Sequence, residues 1–285
     1  MYAAPFEYLA PDTLDEVLGL LQQHGEEATI LAGGQTLVPM MSLRLATPEL
    51  LIDLRRLPRG KVRVEGDHLV IPGSTRHTEV LRDPVIAEHA PMMQVAAAHI
   101  GNVRVRNRGT VGGSLAHADP AAEWPCVISA LGGIIRLTSV AGTRNLTAEE
   151  FFDSYMTTTR EPNELLTEVR IPLDARRGQA FLEMTRRAND FAVVEVAATA
   201  VTDDGGRLVD VTLAAGGVGE RPMVLNADEV AAMRGSAPDG PAVSEAIEGF
   251  VARLNPSDGV HGSAGFRRHL ARNLASRGIA MAASA

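Results

Sequence analysis

The apolar positions of the chain fall into stretches of different rhythm. Behind Asp12 or Thr13 as cap and the acidic Asp15 and Glu16, the residues Val17, Leu18, Leu20 and Leu21 supply one apolar face, which predicts a helix. Ala28-Thr29-Ile30-Leu31 reads as a short buried strand running directly into Gly33-Gly34. A helical segment from Leu37 to Arg44 and a strand at Leu50-Leu51-Ile52-Asp53 complete a βαβ-like unit of about fifty residues. Strand signals return at Val62–Val64 and His68–Ile71, on either side of Gly66-Asp67. Helices are predicted around Thr78–Leu81, over Met92–Ile100 and, rich in small residues, over Pro120–Leu131. A strand at Glu164–Pro172 ends on its proline.

The polar and basic segment Leu173–Gly178 marks a boundary. Beyond it, Phe191–Val201 and Leu208–Ala215 alternate on either side of Asp203-Asp204-Gly205-Gly206, the pattern of a β-hairpin. Amphipathic helical patterns follow near Ala227–Met233, Val243–Leu254 and Phe266–Ala275. The expected division is residues 1–174, in lobes of about 1–57 and 58–174, and residues 175–285.

Composition narrows the function. The 285 residues, 45% apolar and 22% charged, suit two or three globular units. A net charge of −8 argues against a general nucleic-acid binder, which needs a basic face to displace counterions. Cys126 is the single cysteine, so no internal disulfide, thiolate zinc site or iron–sulfur cluster is held by this chain alone. Any redox centre is then a bound organic cofactor or belongs to a partner. The first residues, Met1-Tyr2-Ala3-Ala4-Pro5, lack a secretory pattern, and no apolar run is long enough to span a membrane, so the expected location is cytoplasmic.

Two glycine loops carry the candidate chemistry. In Leu31-Ala32-Gly33-Gly34-Gln35-Thr36 a strand enters a diglycine and a hydroxyl residue opens a helical segment. Backbone N–H groups there suit a pyrophosphate. The pattern is neither Walker A nor Rossmann, and alone it also fits a tight strand-to-helix turn. The second stretch runs from Gly101 to Pro120. Its glycine density marks backbone that a ligand or another chain must approach, although a structural loop also accounts for it. Thr110 and Ser114 bracket Gly112-Gly113 with hydroxyls, and Asp119 offers an acceptor for a ribose or a ring N–H. Two such loops on different lobes suggest one long ligand, such as a dinucleotide, lying between them.

Together, Ala32-Gly33-Gly34-Gln35-Thr36-Leu37-Val38-Pro39-Met40-Met41 and Asn107-Arg108-Gly109-Thr110-Val111-Gly112-Gly113-Ser114-Leu115-Ala116-His117-Ala118-Asp119-Pro120 resemble the FAD-binding medium subunit of the molybdenum hydroxylases. That family includes carbon monoxide dehydrogenase, the xanthine dehydrogenase flavin domain and N-heterocycle dehydrogenases. Length, spacing and the later Arg186-Arg187-Ala188-Asn189-Asp190-Phe191-Ala192 segment agree over essentially the whole chain. The resemblance implies an α+β fold, in which a two-lobed FAD-binding domain of the vanillyl-alcohol-oxidase (PCMH) type precedes a smaller α+β C-terminal domain. It implies FAD contacts from Ala32, Gly33, Gly34, Gln35, Thr36 and Leu37, and from Thr110, Gly112, Gly113, Ser114, Ala118 and Asp119. It also implies an apolar contact near the flavin from Leu166, and a bulky residue, Phe191, against one face of the isoalloxazine. Relatives often carry a lysine shortly before the Arg-Arg pair. This chain has Phe181-Leu182-Glu183-Met184 there, which leaves Arg186 and Arg187 as the nearby cations. No histidine lies in Ala32–Thr36, so the flavin is expected to be non-covalent.

Other residues have plainer explanations. His77, His89, His99 and His117 lack metal-ligand spacing, and His117 is expected to donate to the cofactor or pack beside it. Cys126, after Trp124-Pro125, reads as an inert buried thiol. Arg104, Arg106 and Arg108 form a solvated edge, a phosphate-facing set or a docking surface. Glu149-Glu150 reads as a helix start.

The function implied by the resemblance is electron transfer. A large molybdopterin subunit would hydroxylate substrate, a small subunit would carry two [2Fe–2S] clusters, and this chain would pass electrons through FAD to an external acceptor, in a dimer of heterotrimers. A stand-alone flavin oxidase or dehydrogenase and a non-redox assembly module are the alternatives. The absence of any Ser/His/Asp arrangement fits a chain whose chemistry belongs to its cofactor.

Overall fold

Three sheets organise the computed structural model, which describes residues 2–285. The first is parallel. It contains β1 (Glu7–Leu9), β2 (Ala28–Leu31) and β3 (Leu50–Asp53) in the order β1-β3-β2. Between β1 and β2 runs α1 (Leu14–His24). Thr13 caps it through a reciprocal box with Glu16, and its Val17, Leu18 and Leu21 pack on Leu50 and Ile52. The short α2 (Leu37–Ser42) follows the first glycine loop. Strand β1, three residues long and mostly exposed, has no signature in the apolar pattern.

The second sheet is antiparallel, in the order β4-β5-β10-β6-β7. Strands β4 (Arg63–Glu65) and β5 (His68–Pro72) are followed by α3 (His77–Val80), α4 (Pro84–His89) and α5 (Pro91–His99). The glycine-dense stretch is not an open loop. It forms α6 (Val103–Arg106) and α7 (Val111–His117), the latter capped by the Thr110 hydroxyl. The helix expected from Pro120 starts later, as α8 (Glu123–Ala130). Ala118 takes a left-handed conformation (φ 52°) and the Asp119 carboxylate accepts the Ala121 N–H, so the chain must turn before α8 begins. The hairpin of β6 (Ile134–Ser139) and β7 (Gly142–Thr147) is absent from the sequence expectations because β7 is polar apart from Gly142 and Leu146. Then come α9 (Ala148–Phe151), the small ribbon of β8 (Phe152–Ser154) and β9 (Thr157–Thr158), and the central β10 (Leu165–Pro172). Helices α5 and α8 close a core of Leu69, Ile71, Met93, Trp124 and Ile128.

The third sheet is antiparallel and joins β11 (Gly178–Met184), β12 (Val194–Thr202), β13 (Leu208–Gly216) and β14 (Met223–Val224) in sequence order. The hairpin is where the pattern placed it, but β12 does not alternate in burial. Val194 through Val201 are all buried. One face of the sheet meets α11 (Pro241–Arg253) and α12 (Ala264–Ala283), and α10 (Ala227–Met233) completes that cluster. On the other face Phe181, Ala197 and Ala214 enter the core shared with α5 and α8. A strand covered on both sides reads as a continuous apolar run. Helix α12 is longer than its amphipathic segment suggested, since small residues at Gly278 and Ala282 pack without a marked apolar stripe. Among the described residues no helix is long and apolar enough to cross a membrane.

Candidate functional site

A cleft of about 1290 Å³ opens between the first two lobes, and both glycine loops line it. The loops touch. A Cβ added to Gly33 would lie 2.7 Å from the Gly109 Cα and against the Arg108 carbonyl. A second crossing stacks three backbone segments. A Cβ on Gly112 would lie 2.8 Å from the Gly73 carbonyl oxygen, and one on Gly73 would lie 2.6 Å from that of Leu166. The Gly112 N–H donates to Gly73 and the Gly73 N–H donates to Thr167, at the register shift that bends β10 between Leu166 and Glu168. Gly33 lets lobe meet lobe, and Gly73 and Gly112 let backbone segments cross within the second lobe. Ligand approach is therefore not the only reason for their density.

The two loops differ in what they offer a ligand. In the second, the Gly112 N–H is committed to Gly73 and the Gly113 N–H to the Thr110 hydroxyl at 3.1 Å. With both diglycine amides engaged, the polar groups that this loop turns to the cleft are the Thr110 and Ser114 hydroxyls. In the first loop, the N–H groups of Gly33, Gly34, Gln35 and Thr36 have no acceptor among the described residues. Gly34 is left-handed at φ 69°, which curls these amides into a concave nest. Arg76 and Arg108 line the same cleft and make no ion pair among the described residues. On a chain of net charge −8, they add unpaired positive charge to the wall of the cleft.

Ala32, Gly33, Gly34, Gln35, Thr36, Leu37, Thr110, Gly112, Gly113, Ser114, Asp119, Leu166 and Phe191 all border the cleft. Ala118 does not. It is buried in the core behind α7, and its role is the left-handed turn. Phe191 stands at the rim, 64% exposed. His117 lines the cleft, whereas His89 and His99 lie away from it. Cys126 is fully buried, and burial pushes its thiol well up.

Arg106 is not a free surface cation. Its guanidinium donates to the carbonyls of Ile100, at 2.9 Å, and Gly101, closing the turn after α5. Arg104 is exposed and Arg108 faces the cleft, so the three arginines have three separate roles.

Pattern reasoning missed several wall residues. Asp53, at the end of β3, accepts from the Tyr8 hydroxyl at 2.8 Å and from the Arg55 amide. His77, beneath Gly109, is pushed down to about 4, first by burial and then by the nearby Arg106 charge. Glu123, at the start of α8, is pushed up to about 8 by burial, with Glu183 and Asp119 adding repulsion. Arg76 is a lone cation in a connecting turn. Nothing in the local sequence distinguishes these residues, since their place on the wall comes from segments distant along the chain.

Comparison with known proteins agrees with this geometry. Residues 4–174 match the family described as the FAD binding domain in molybdopterin dehydrogenase, and residues 179–282 match the CO dehydrogenase flavoprotein C-terminal domain. The nicotine 6-hydroxylase medium subunit of Paenarthrobacter nicotinovorans is 37% identical over 275 residues, 95% of each chain. A chain of the carbon monoxide dehydrogenase of Hydrogenophaga pseudoflava superposes with a TM-score of 0.95 at 33% identity, covering 100% of this chain and 99% of that one. A chain of quinoline 2-oxidoreductase from Pseudomonas putida 86 superposes with a TM-score of 0.93 at 35% identity and the same coverage.

Proposed function

The chain belongs to the family of FAD-binding domains in molybdopterin dehydrogenases, and from that premise we propose that it binds one FAD non-covalently and serves as the electron-transfer subunit of a molybdenum-containing hydroxylase. Its partners are a large molybdopterin subunit and a small [2Fe–2S] subunit, arranged as a dimer of heterotrimers in the cytoplasm. Substrate hydroxylation takes place on the large subunit. The domains divide at Leu173–Gly178, into an FAD-binding PCMH-type unit of residues 1–174 and a C-terminal unit of residues 175–285.

The observation that carries this reading is the run of four uncommitted amides, Gly33 to Thr36, in a cleft whose wall also carries Arg76 and Arg108. A buried or half-buried N–H without an acceptor is costly, and a pyrophosphate supplies the acceptors and the charge together. Thr110 and Ser114 hold the polyol chain, Asp119 accepts from a hydroxyl or ring N–H, and Leu166 and Phe191 give the ring system apolar contact. The isoalloxazine, once bound, supplies the redox chemistry; the protein binds it, orients it and limits its access to water.

Purification of the chain tests the proposal. A yellow protein should release all its flavin to the supernatant on acid precipitation. Flavin left in the washed pellet would contradict the non-covalent site. A colourless chain that takes up no added FAD would contradict the function. Co-purified chains should carry molybdenum and iron.

A further inference from the structure

A line of buried carboxyls leads from the cleft into the interface between α8 and the C-terminal sheet. Glu123 borders the cleft but is only 6% exposed. Glu195 on β12 is fully buried, and neither of its carboxyl oxygens has a hydrogen-bond partner among the described residues. Glu183 stands directly opposite Glu195 in the β11–β12 register, with its side chain wholly shielded. Such cross-strand neighbours have Cβ atoms roughly 5 Å apart. On the far side, His99 Nδ1 lies 3.1 Å from a Glu183 carboxylate oxygen, close enough for an ion pair but not aligned as a hydrogen bond, and the His99 side chain is 43% exposed.

The opposite end of the line is equally close-packed. Glu123 and Cys126 occupy one face of α8, a turn apart. The Cys126 thiol donates to the Ala214 carbonyl at 3.3 Å, and Gly216, two residues along β13, is the register partner of Glu195. Any side chain on Gly216 would strike the Glu195 carboxyl. The charges that bear on Glu195 are those of Glu123, Glu183 and Asp119, and all are acidic.

Four acids within reach of one another and no paired cation at Glu195 make an expensive way to fill an interface. Apolar residues of similar volume would pack there at lower cost. Among the described residues no three His, Cys, Asp or Glu side chains are arranged to hold a metal ion. Burial favours the protonated carboxyls instead: Glu183 is pushed up to about 7, Glu123 to about 8, and Glu195 well above the ordinary carboxylate range. Burial also lowers His99 from its ordinary value, which favours the neutral ring.

We propose that Glu123, Glu195 and Glu183 form a proton path between solvent at His99 and the cleft. This inference rests on the flavin reading. Iron–sulfur clusters deliver electrons alone, while full reduction of an isoalloxazine takes up two electrons and two protons. The protons must therefore come from water through the protein. Glu123 gives its proton to the cleft and is reprotonated by Glu195, which is refilled by Glu183 and then, through His99, by water. Each transfer moves one solvent proton inward and leaves every carboxyl as it began. When electrons depart to the acceptor the path runs outward. Glu195 takes the central position because it lies between Glu123 and Glu183; its carboxyl, like that of Glu183, has no hydrogen-bond partner among the described residues, so each transfer requires a side-chain rotation or a bridging water.

The test uses the flavin-loaded full chain as wild type, Glu195→Gln and His99→Gln. Flavin is reduced by a light flash in the presence of a sacrificial donor, and proton uptake is followed with a pH indicator dye. Uptake should slow about a hundredfold in Glu195→Gln, the lower end of what a positioned proton-transfer group contributes. It should also slow in His99→Gln, with flavin content unchanged. Infrared difference spectra should show a protonated-carboxyl band that moves on reduction and is lost in Glu195→Gln. His99 is partly exposed, so its variant decides the matter if the buried one does not fold. Wild-type uptake in either flavin-loaded variant overturns the path and leaves the flavin reading standing. A wild-type chain that binds no flavin overturns both.

Discussion

The indole N–H of Trp124 donates to Nδ1 of His77 across 3.0 Å, inside a core where neither ring is appreciably exposed. With Nδ1 accepting, the remaining imidazole proton sits on Nε2, under Gly109, where an added Cβ would come within 2.6 Å of that nitrogen. The neutral ring thus forms the floor beneath the second glycine loop.

Protonation of His77 should oppose folding. The folded protein holds it at about 4, below its ordinary value of 6.5. Between those values the unfolded chain binds the extra proton, so the His77 contribution to stability rises with pH across that window. The buried carboxyls titrate over part of the same range in both proteins, so urea denaturation of wild type and His77→Phe at several pH values from 4 to 6.5 isolates the His77 share: the stability of wild type relative to the variant should rise with pH. A difference that does not change with pH would mean that His77 does not contribute.

The buried acids act in the opposite sense. Glu183 and Glu123 are raised to about 7 and about 8, so the folded state keeps protons that the unfolded chain releases above about 4.5. These carboxyls therefore make stability fall as pH rises from about 4.5 to 8, and toward the upper end of that range His77 is neutral in both the folded and the unfolded chain. Glu195→Gln removes the most deeply buried member and should weaken that decline. Calorimetric Tm values at pH 6.5 and 8 decide it.

Two glycine substitutions should diverge. Gly19, exposed on α1, has nothing within 4 Å of an added Cβ, so Gly19→Ala should stabilise the chain by about 0.5–1 kcal/mol. Gly33→Ala drives a methyl into the Arg108–Gly109 backbone, and overpacking of that kind costs about 1–3 kcal/mol. Flavin content should survive the first change and fall sharply in the second. Equal flavin content in both would separate the lobe crossing from cofactor binding.

Arg104 and Arg106 are neighbours in α6 with different duties. Arg106→Ala strips donors from the Ile100 and Gly101 carbonyls and should cost about 1–3 kcal/mol in denaturation. Arg104→Glu should leave stability and flavin unaltered and weaken association with the other subunits. That deficit should shrink as salt screens the lost attraction. Association equal to wild type at low salt would remove Arg104 from the docking surface.

Local pattern settled much of this protein. The Thr13 cap, the strand Ala28–Leu31, the Asp203–Gly206 turn and the two glycine loops were legible because each depends on residues close in sequence. Strand β7 was not, since its polar residues are held by pairing with β6. Both diglycines announced close approach without saying to what. Gly33 meets Arg108 and Gly112 meets Gly73 across long stretches of chain, so only the folded arrangement separates the amides committed to other backbone from the four left free. Glu195 reads in sequence as a lone acid within an apolar run. Its burial on both sides, opposite Glu183 and near Glu123, arises only when β12 is enclosed between α12 and α8. Propensity and periodicity act over a few residues, whereas burial and electrostatic reach are properties of segments brought together by packing.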